Sequence, residues 1–99
     1  MGMNDQDTIV GIASGMGGSI GIVRVSGNQA ISITSSIFRK KSNETFDEKF
    51  LEKQPTHTIH YGFVLNEDDS ILDEVMLLLM KAPSTYTRED VIEIDCHLG

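Results

Sequence analysis

The 99 residues carry 15 acidic and 8 basic side chains, a formal net charge of −7, which argues against a surface that grips nucleic acid by itself. With 39% apolar and 23% charged residues the composition is that of one ordinary globular domain, and a chain this short buries roughly 60–70% of its unfolded surface. A single cysteine rules out an internal disulfide and favours a reducing compartment.

The chain opens on Met1-Gly2-Met3-Asn4-Asp5-Gln6-Asp7, polar and acidic. With neither a basic start nor a long apolar run, it predicts no signal peptide and no membrane span. Residues 1–6 read as a disordered tail, Met1-Gly2 looks like a cloning remnant, and residues 7–99 read as the domain.

Residues 7–13 read as a strand, Ser14-Gly15-Met16-Gly17-Gly18-Ser19 as a glycine-rich turn, and residues 20–26 as a second strand. The turn is no dinucleotide fingerprint, because Ile20 stands where the third glycine is required, and no Gly-Lys-Ser/Thr follows for a triphosphate loop. A plain turn is the expectation; a loop whose backbone approaches a ligand is the alternative. In the second strand Ile20, Ile22, Arg24 and Ser26 share one face. Arg24 therefore sits in a strand that reads as buried on both sides and needs a counter-charge or a ligand.

Residues 27–41 predict the main helix. Ser26 or Asn28 caps it, Ala30, Ile33, Ile37 and Phe38 form its apolar stripe with Ile31 beside them, and Arg39-Lys40-Lys41 close its negative end. Residues 42–54 read as a charged linker with at most one helical turn, anchored by Phe46, Phe50 and Leu51. Residues 57–65 alternate as a strand with Ile59, Tyr61, Phe63 and Leu65 on its apolar side. The polar turn Asn66-Glu67-Asp68-Asp69-Ser70 leads into a return strand over residues 71–82. This strand is apolar at every position from 75 to 80, which predicts a central strand covered on both faces. His57 and His60 fall on opposite faces, so a shared metal is not expected.

The last stretch, Tyr86-Thr87-Arg88-Glu89-Asp90-Val91-Ile92-Glu93-Ile94-Asp95-Cys96-His97, begins as a polar turn and becomes a strand. Val91, Glu93, Asp95 and His97 share one face, and Ile92, Ile94 and Cys96 the other. Glu93, flanked by two isoleucines, needs a partner, because an unpaired buried charge is costly. Cys96 shares the isoleucine side and reads as a structural cysteine rather than a nucleophile or a zinc ligand. The elements add up to an α/β (α+β) domain: a mixed, largely antiparallel sheet of about five strands with one main helix. The stop at Leu98-Gly99, directly after a strand, suggests a piece of a longer chain and a sheet edge left unpaired by the cut.

Several segments together resemble one family. They are Asp7-Thr8-Ile9, Ile20-Gly21-Ile22-Val23-Arg24-Val25-Ser26-Gly27, His57-Thr58-Ile59-His60-Tyr61-Gly62, Asp73-Glu74-Val75, and the run from Ala82-Pro83-Ser84-Thr85 through His97. In order and spacing they are similar to the amino-terminal domain of the MnmE (TrmE) family of tRNA modification GTPases, over nearly the whole chain.

The resemblance implies a fold akin to the tetrahydrofolate-binding domain of the glycine-cleavage aminomethyltransferase, a cytoplasmic homodimer formed through this domain, and a folate near the dimer interface. That folate is 5-formyl-tetrahydrofolate or 5,10-methylene-tetrahydrofolate. The family's folate contacts match at Arg24 and Glu93, and a further basic contact falls past residue 99. The resemblance also implies a helical domain and a G domain using GTP, potassium and magnesium, both outside these residues, so no catalytic residue or metal ligand is expected here. The FAD-dependent protein MnmG is the implied partner, and tRNA is reached through the full complex, with no membrane involved. A pterin ring presents an amino group beside a ring N–H, a donor pair that a carboxylate such as Glu93 accepts. Arg24 offers a donor fork to a ligand carbonyl or carboxylate. The alternative is that Arg24 and Glu93 simply pair with each other, leaving an assembly-only module with a degenerate folate pocket. Two departures bear on that alternative: the turn lacks the family's usual prolines and charged residue, and the end reads His97-Leu98-Gly99 rather than His-Gly-Gly.

Overall fold

The computed structural model describes residues 8–14, 20–41, 46–83 and 89–97. Strands β1 (Ile9–Ser14), β2 (Ile20–Ser26), β3 (Phe38–Lys40), β4 (Thr58–Leu65), β5 (Ile71–Met80) and β6 (Val91–His97) form one sheet in the order β1-β2-β6-β5-β4-β3. Every neighbouring pair is antiparallel. Helix α1 (Ala30–Ser35) and a 3-10 turn at Leu51–Lys53 cover one face. The fold is thus the expected α+β class, with six strands where the sequence suggested about five.

The sixth strand comes out of the predicted helix, which is far shorter than residues 27–41. After Ala30 the chain offers Ser32, Thr34, Ser35 and Ser36 with β-branched Ile31 and Ile33, residues that give a helix interior little support. It leaves the helix at Ser35, and Phe38–Lys40 pairs with β4 at an edge. Arg39 and Lys40 are therefore edge-strand residues and not a helix terminus; the Arg39 guanidinium lies 5.5 Å from the Phe63 ring centroid. Ile33 and Ile37 are largely exposed, whereas Ile31, expected beside the stripe, is buried. Neither Ser26 nor Asn28 caps α1: the residue before it is Gln29, whose N–H donates to Thr8 Oγ1 at 3.2 Å.

The core gathers Ile31, Phe38, Leu51, Val75, Leu77, Leu79, Ile92 and Ile94 between the sheet and the helical layer. Leu51 is fully buried, so the charged stretch that reads as a linker supplies a core side chain, fixed by a 3.1 Å bond from its N–H to Ser35 Oγ.

In β4 the expected faces are reversed. His60, Gly62 and Val64 lie toward the helical layer; Ile59 and Tyr61 point away and are 54% and 60% exposed. The reason is Gly62, whose missing side chain makes room for the Phe38 ring: a methyl there would lie 2.6 Å from Phe38 Cζ and closer still to the Arg39 carbonyl oxygen. A register shift between Val64 and Leu65 then turns Leu65 inward.

Strand β5 is central, as its apolar run predicts, but is covered on one face only. Val75, Leu77 and Leu79 are buried, while Met76, Leu78 and Met80 are half-buried on the open face. The hairpin before it closes through Asn66 N–H to the Ser70 carbonyl at 2.8 Å, with Asp69 at φ 68°. β6 lies inside the sheet between β2 and β5, so it is not itself an edge strand; among the described residues the open edges are β1 and β3.

Candidate functional site

The open face brings Arg24 and Glu93 together. Pairing of β2 with β6 sets the two residues directly opposite each other, flanked by Gly11 of β1 and Leu78 of β5. Arg24 Nη2 donates to Glu93 Oε1 at 3.5 Å, the outer limit of such a contact. The Arg24 side chain is 62% exposed and that of Glu93 21%. Arg24 is thus no buried charge: its strand is covered on one face only, and the guanidinium stands on the other. An ion pair this long and this exposed contributes under about 1 kcal/mol. It leaves most of the guanidinium donors and the carboxylate lone pairs available.

Beside the pair opens a cleft of about 360 Å³ lined by Gly11, Ile12, Ile22, Arg24 and Glu93. A side chain at Gly11 would meet nothing within 4 Å, so the space on this side of the cleft is open. The cleft therefore joins an acceptor, a cation and apolar walls within the size range of small-molecule sites. Sequence reasoning selected the two charged residues but did not single out Gly11, because the open space beside it depends on three strands.

The next residue of β6 on this face, Asp95, stands between Ile22 and Met76. Its Oδ1 is shielded from solvent and has no hydrogen-bond partner. Cys96 lies on the opposite, core side, with Sγ 3.5 Å from the Gly21 carbonyl oxygen. Burial, and then the negative charges of Asp73 and Asp95, push its thiol pKa up from the ordinary value, the reverse of what a nucleophile needs.

The histidines remain apart in role. His57 precedes β4 with φ 60°, and His60 Nε2 lies 2.8 Å from Thr58 Oγ1, its ring edge-on to Phe50. Among the described residues no three histidine, cysteine, aspartate or glutamate side chains gather as a metal site, and no helix is long and apolar enough to cross a membrane. The glycine-rich turn at 15–19, residues 84–88 and the pair Leu98-Gly99 lie outside the described residues.

Comparison with known proteins gives a consistent result. The family described as "GTP-binding protein TrmE N-terminus" matches residues 8–99. The "tRNA modification GTPase MnmE" of Enterococcus faecalis is 48% identical over 95 residues, which are 94% of this chain and 19% of that protein. The protein of the same name from Geobacillus kaustophilus is 46% identical over 99 residues, 98% of this chain and 20% of its own. That from Acholeplasma laidlawii is 50% identical over 93 residues, 93% of this chain and 19% of its own. The chain thus spans about a fifth of the length of these curated relatives. A match over all but the first seven residues, together with identities near one-half, makes the chain a member of the TrmE amino-terminal family.

Proposed function

We propose that this chain is the folate-binding and homodimerising amino-terminal part of a GTPase that modifies the wobble uridine of tRNA. Family membership supports the parent activity, since the matching relatives are named tRNA modification GTPases. The observation that carries the folate assignment is the meeting of Arg24 and Glu93 beside an open cleft, with their contact too long to satisfy either.

In this reading Glu93 accepts the amino and ring N–H pair of a pterin, and a strand paired on both sides keeps its carboxylate in place. Arg24, exposed at the mouth, donates to a carbonyl or carboxylate further along the ligand. Ile12 and Ile22 offer apolar surface to the ring system. A bound 5-formyl- or 5,10-methylene-tetrahydrofolate supplies the one-carbon unit. GTP hydrolysis, with its potassium and magnesium, belongs to another part of the protein, because these 99 residues contain no triphosphate-loop motif. With a net charge of −7 the chain leaves tRNA to the complex with the FAD-dependent partner MnmG. A second copy docks on the open sheet face, where exposed Ile59 and Tyr61 continue the surface that carries the cleft.

Calorimetric titration with 5-formyl-tetrahydrofolate tests the assignment. Saturable binding that falls at least about tenfold in Glu93→Ala and in Arg24→Ala, with both variants folded, is expected. A flat isotherm for the unaltered protein would sink it.

A second reading rests on the same 3.5 Å contact: the two charges serve each other, and the chain is an assembly module with a degenerate pocket. Light scattering that shows a dimer broken by Tyr61→Lys, combined with folate affinity indifferent to Glu93→Ala, would favour it.

A further inference from the structure

The face that holds Arg24 and Glu93 carries one carboxylate too many. Asp95 lies two residues beyond Glu93 on β6, opposite Ile22 of β2 and Met76 of β5. Neither of those side chains has a hydrogen to donate, and Asp95 Oδ1 is closed off from solvent with no hydrogen bond. The nearby cation, Arg24, stands in register with Glu93 and directs its contact there. A shielded carboxylate oxygen without a donor is unfavourable and calls for a cause.

The cleft supplies one. Ile22, the register partner of Asp95, is also a wall of the cleft, so Asp95 is the carboxylate next to the cleft on this face after Glu93. Residues two apart on one strand face are separated by about 7 Å, too far to share a single donor pair but suited to two edges of one fused ring. Glu93 in the proposed mode takes the amino and N–H pair that a pterin has in every oxidation state. A second acceptor alongside it suits a donor elsewhere on the ring. Reduced pterins carry such an N–H in the second ring; fully oxidised ones present a lone pair instead, which a carboxylate repels.

We infer that Asp95 is a second acceptor of this cleft and selects the reduced over the oxidised form of a bicyclic heterocycle. The inference rests on the folate reading above and adds to it a residue that determines specificity.

The experiment compares 5-formyl-tetrahydrofolate with folic acid as ligands of the purified protein, by calorimetry. Unaltered protein is expected to prefer the reduced ligand. In Asp95→Asn that preference narrows about tenfold, through weaker binding of the reduced ligand while folic acid binds as before or better. Glu93→Gln weakens both ligands together. Without ligand, the melting temperature of Asp95→Asn holds, because Oδ1 has no hydrogen bond to lose. Asp95→Leu, which matches its apolar neighbours, narrows the preference as well and serves if the asparagine variant folds poorly.

An unchanged preference in either folded variant overturns the inference and leaves the folate reading standing. So does a fall in ligand-free melting temperature with equal loss of both ligands, which marks a structural role. A flat isotherm for unaltered protein overturns both readings, and it is recognised before any variant is made.

Discussion

Phe38 occupies the space that Gly62 leaves empty. Phe38 stands opposite Val64 and Lys40 opposite Gly62, so the glycine lies two residues along β4 from the partner of Phe38, and the Phe38 ring leans over its backbone. Gly62→Ala should therefore lower stability by about 1–3 kcal/mol, since the new methyl meets a fully buried ring and a backbone carbonyl, neither free to retreat. Urea unfolding measures it; a change under a few tenths of a kcal/mol would show that the edge strand gives way.

Ser35 and Leu51 are tied by a buried hydrogen bond that joins α1 to the 3-10 turn. Ser35→Ala leaves the Leu51 N–H buried without an acceptor and should cost about 1–3 kcal/mol. The same substitution at exposed Ser32 should cost under about 0.5 kcal/mol. Equal effects at the two serines would mean that residues 46–54 do not hold their place against the helix.

Gly11→Leu separates the cleft from the fold. Nothing lies within 4 Å of a side chain added there, so melting should stay close to that of the unaltered chain while the new side chain fills the space beside Arg24. Folate titration should then show at least a tenfold loss, on the order of 1.4 kcal/mol. Unimpaired binding would place the ligand elsewhere.

His60 gives the stability a slope with pH. Burial, and then the charge of Lys40, lowers its pKa below the ordinary 6.5, so the unfolded chain takes up a proton before the folded one does. The contribution is full above pH 6.5 and is lost as pH falls through the folded value, below which both states are protonated. His60→Gln should flatten the unfolding free energy across that window and change it little at pH 8, as denaturant melts at several pH values would report.

The strands β1, β2, β4, β5 and β6 were legible because apolar patterning and turn residues mark them, and the five-residue turn before β5 reads directly. The errors share one physical origin. Hydrophobic pattern records which side chains are apolar, not where space exists. Ile59 and Tyr61 looked like the inner side of β4 because the feature that decides the matter, the void over Gly62, has no side chain to read. Phe38 fitted a helical stripe and lies in the core, but as part of a three-residue strand too short to announce itself. At the site, Arg24 and Glu93 stood out as charges among β-branched residues. Their direct opposition, 69 positions apart in sequence, depends on which strand β6 enters beside, and no local pattern encodes that.

That entry has a consequence for how the protein comes into being. The last of the described strands is the one that joins the two halves, the β1–β2 pair on one side and the β3–β4–β5 meander on the other. A ribosome delivering this chain from its amino terminus releases both halves before the piece that unites them, so each waits with an open flank until residues 91–97 have cleared the tunnel. The cleft is then born at that same moment, since one of its two charged groups arrives with the closing strand.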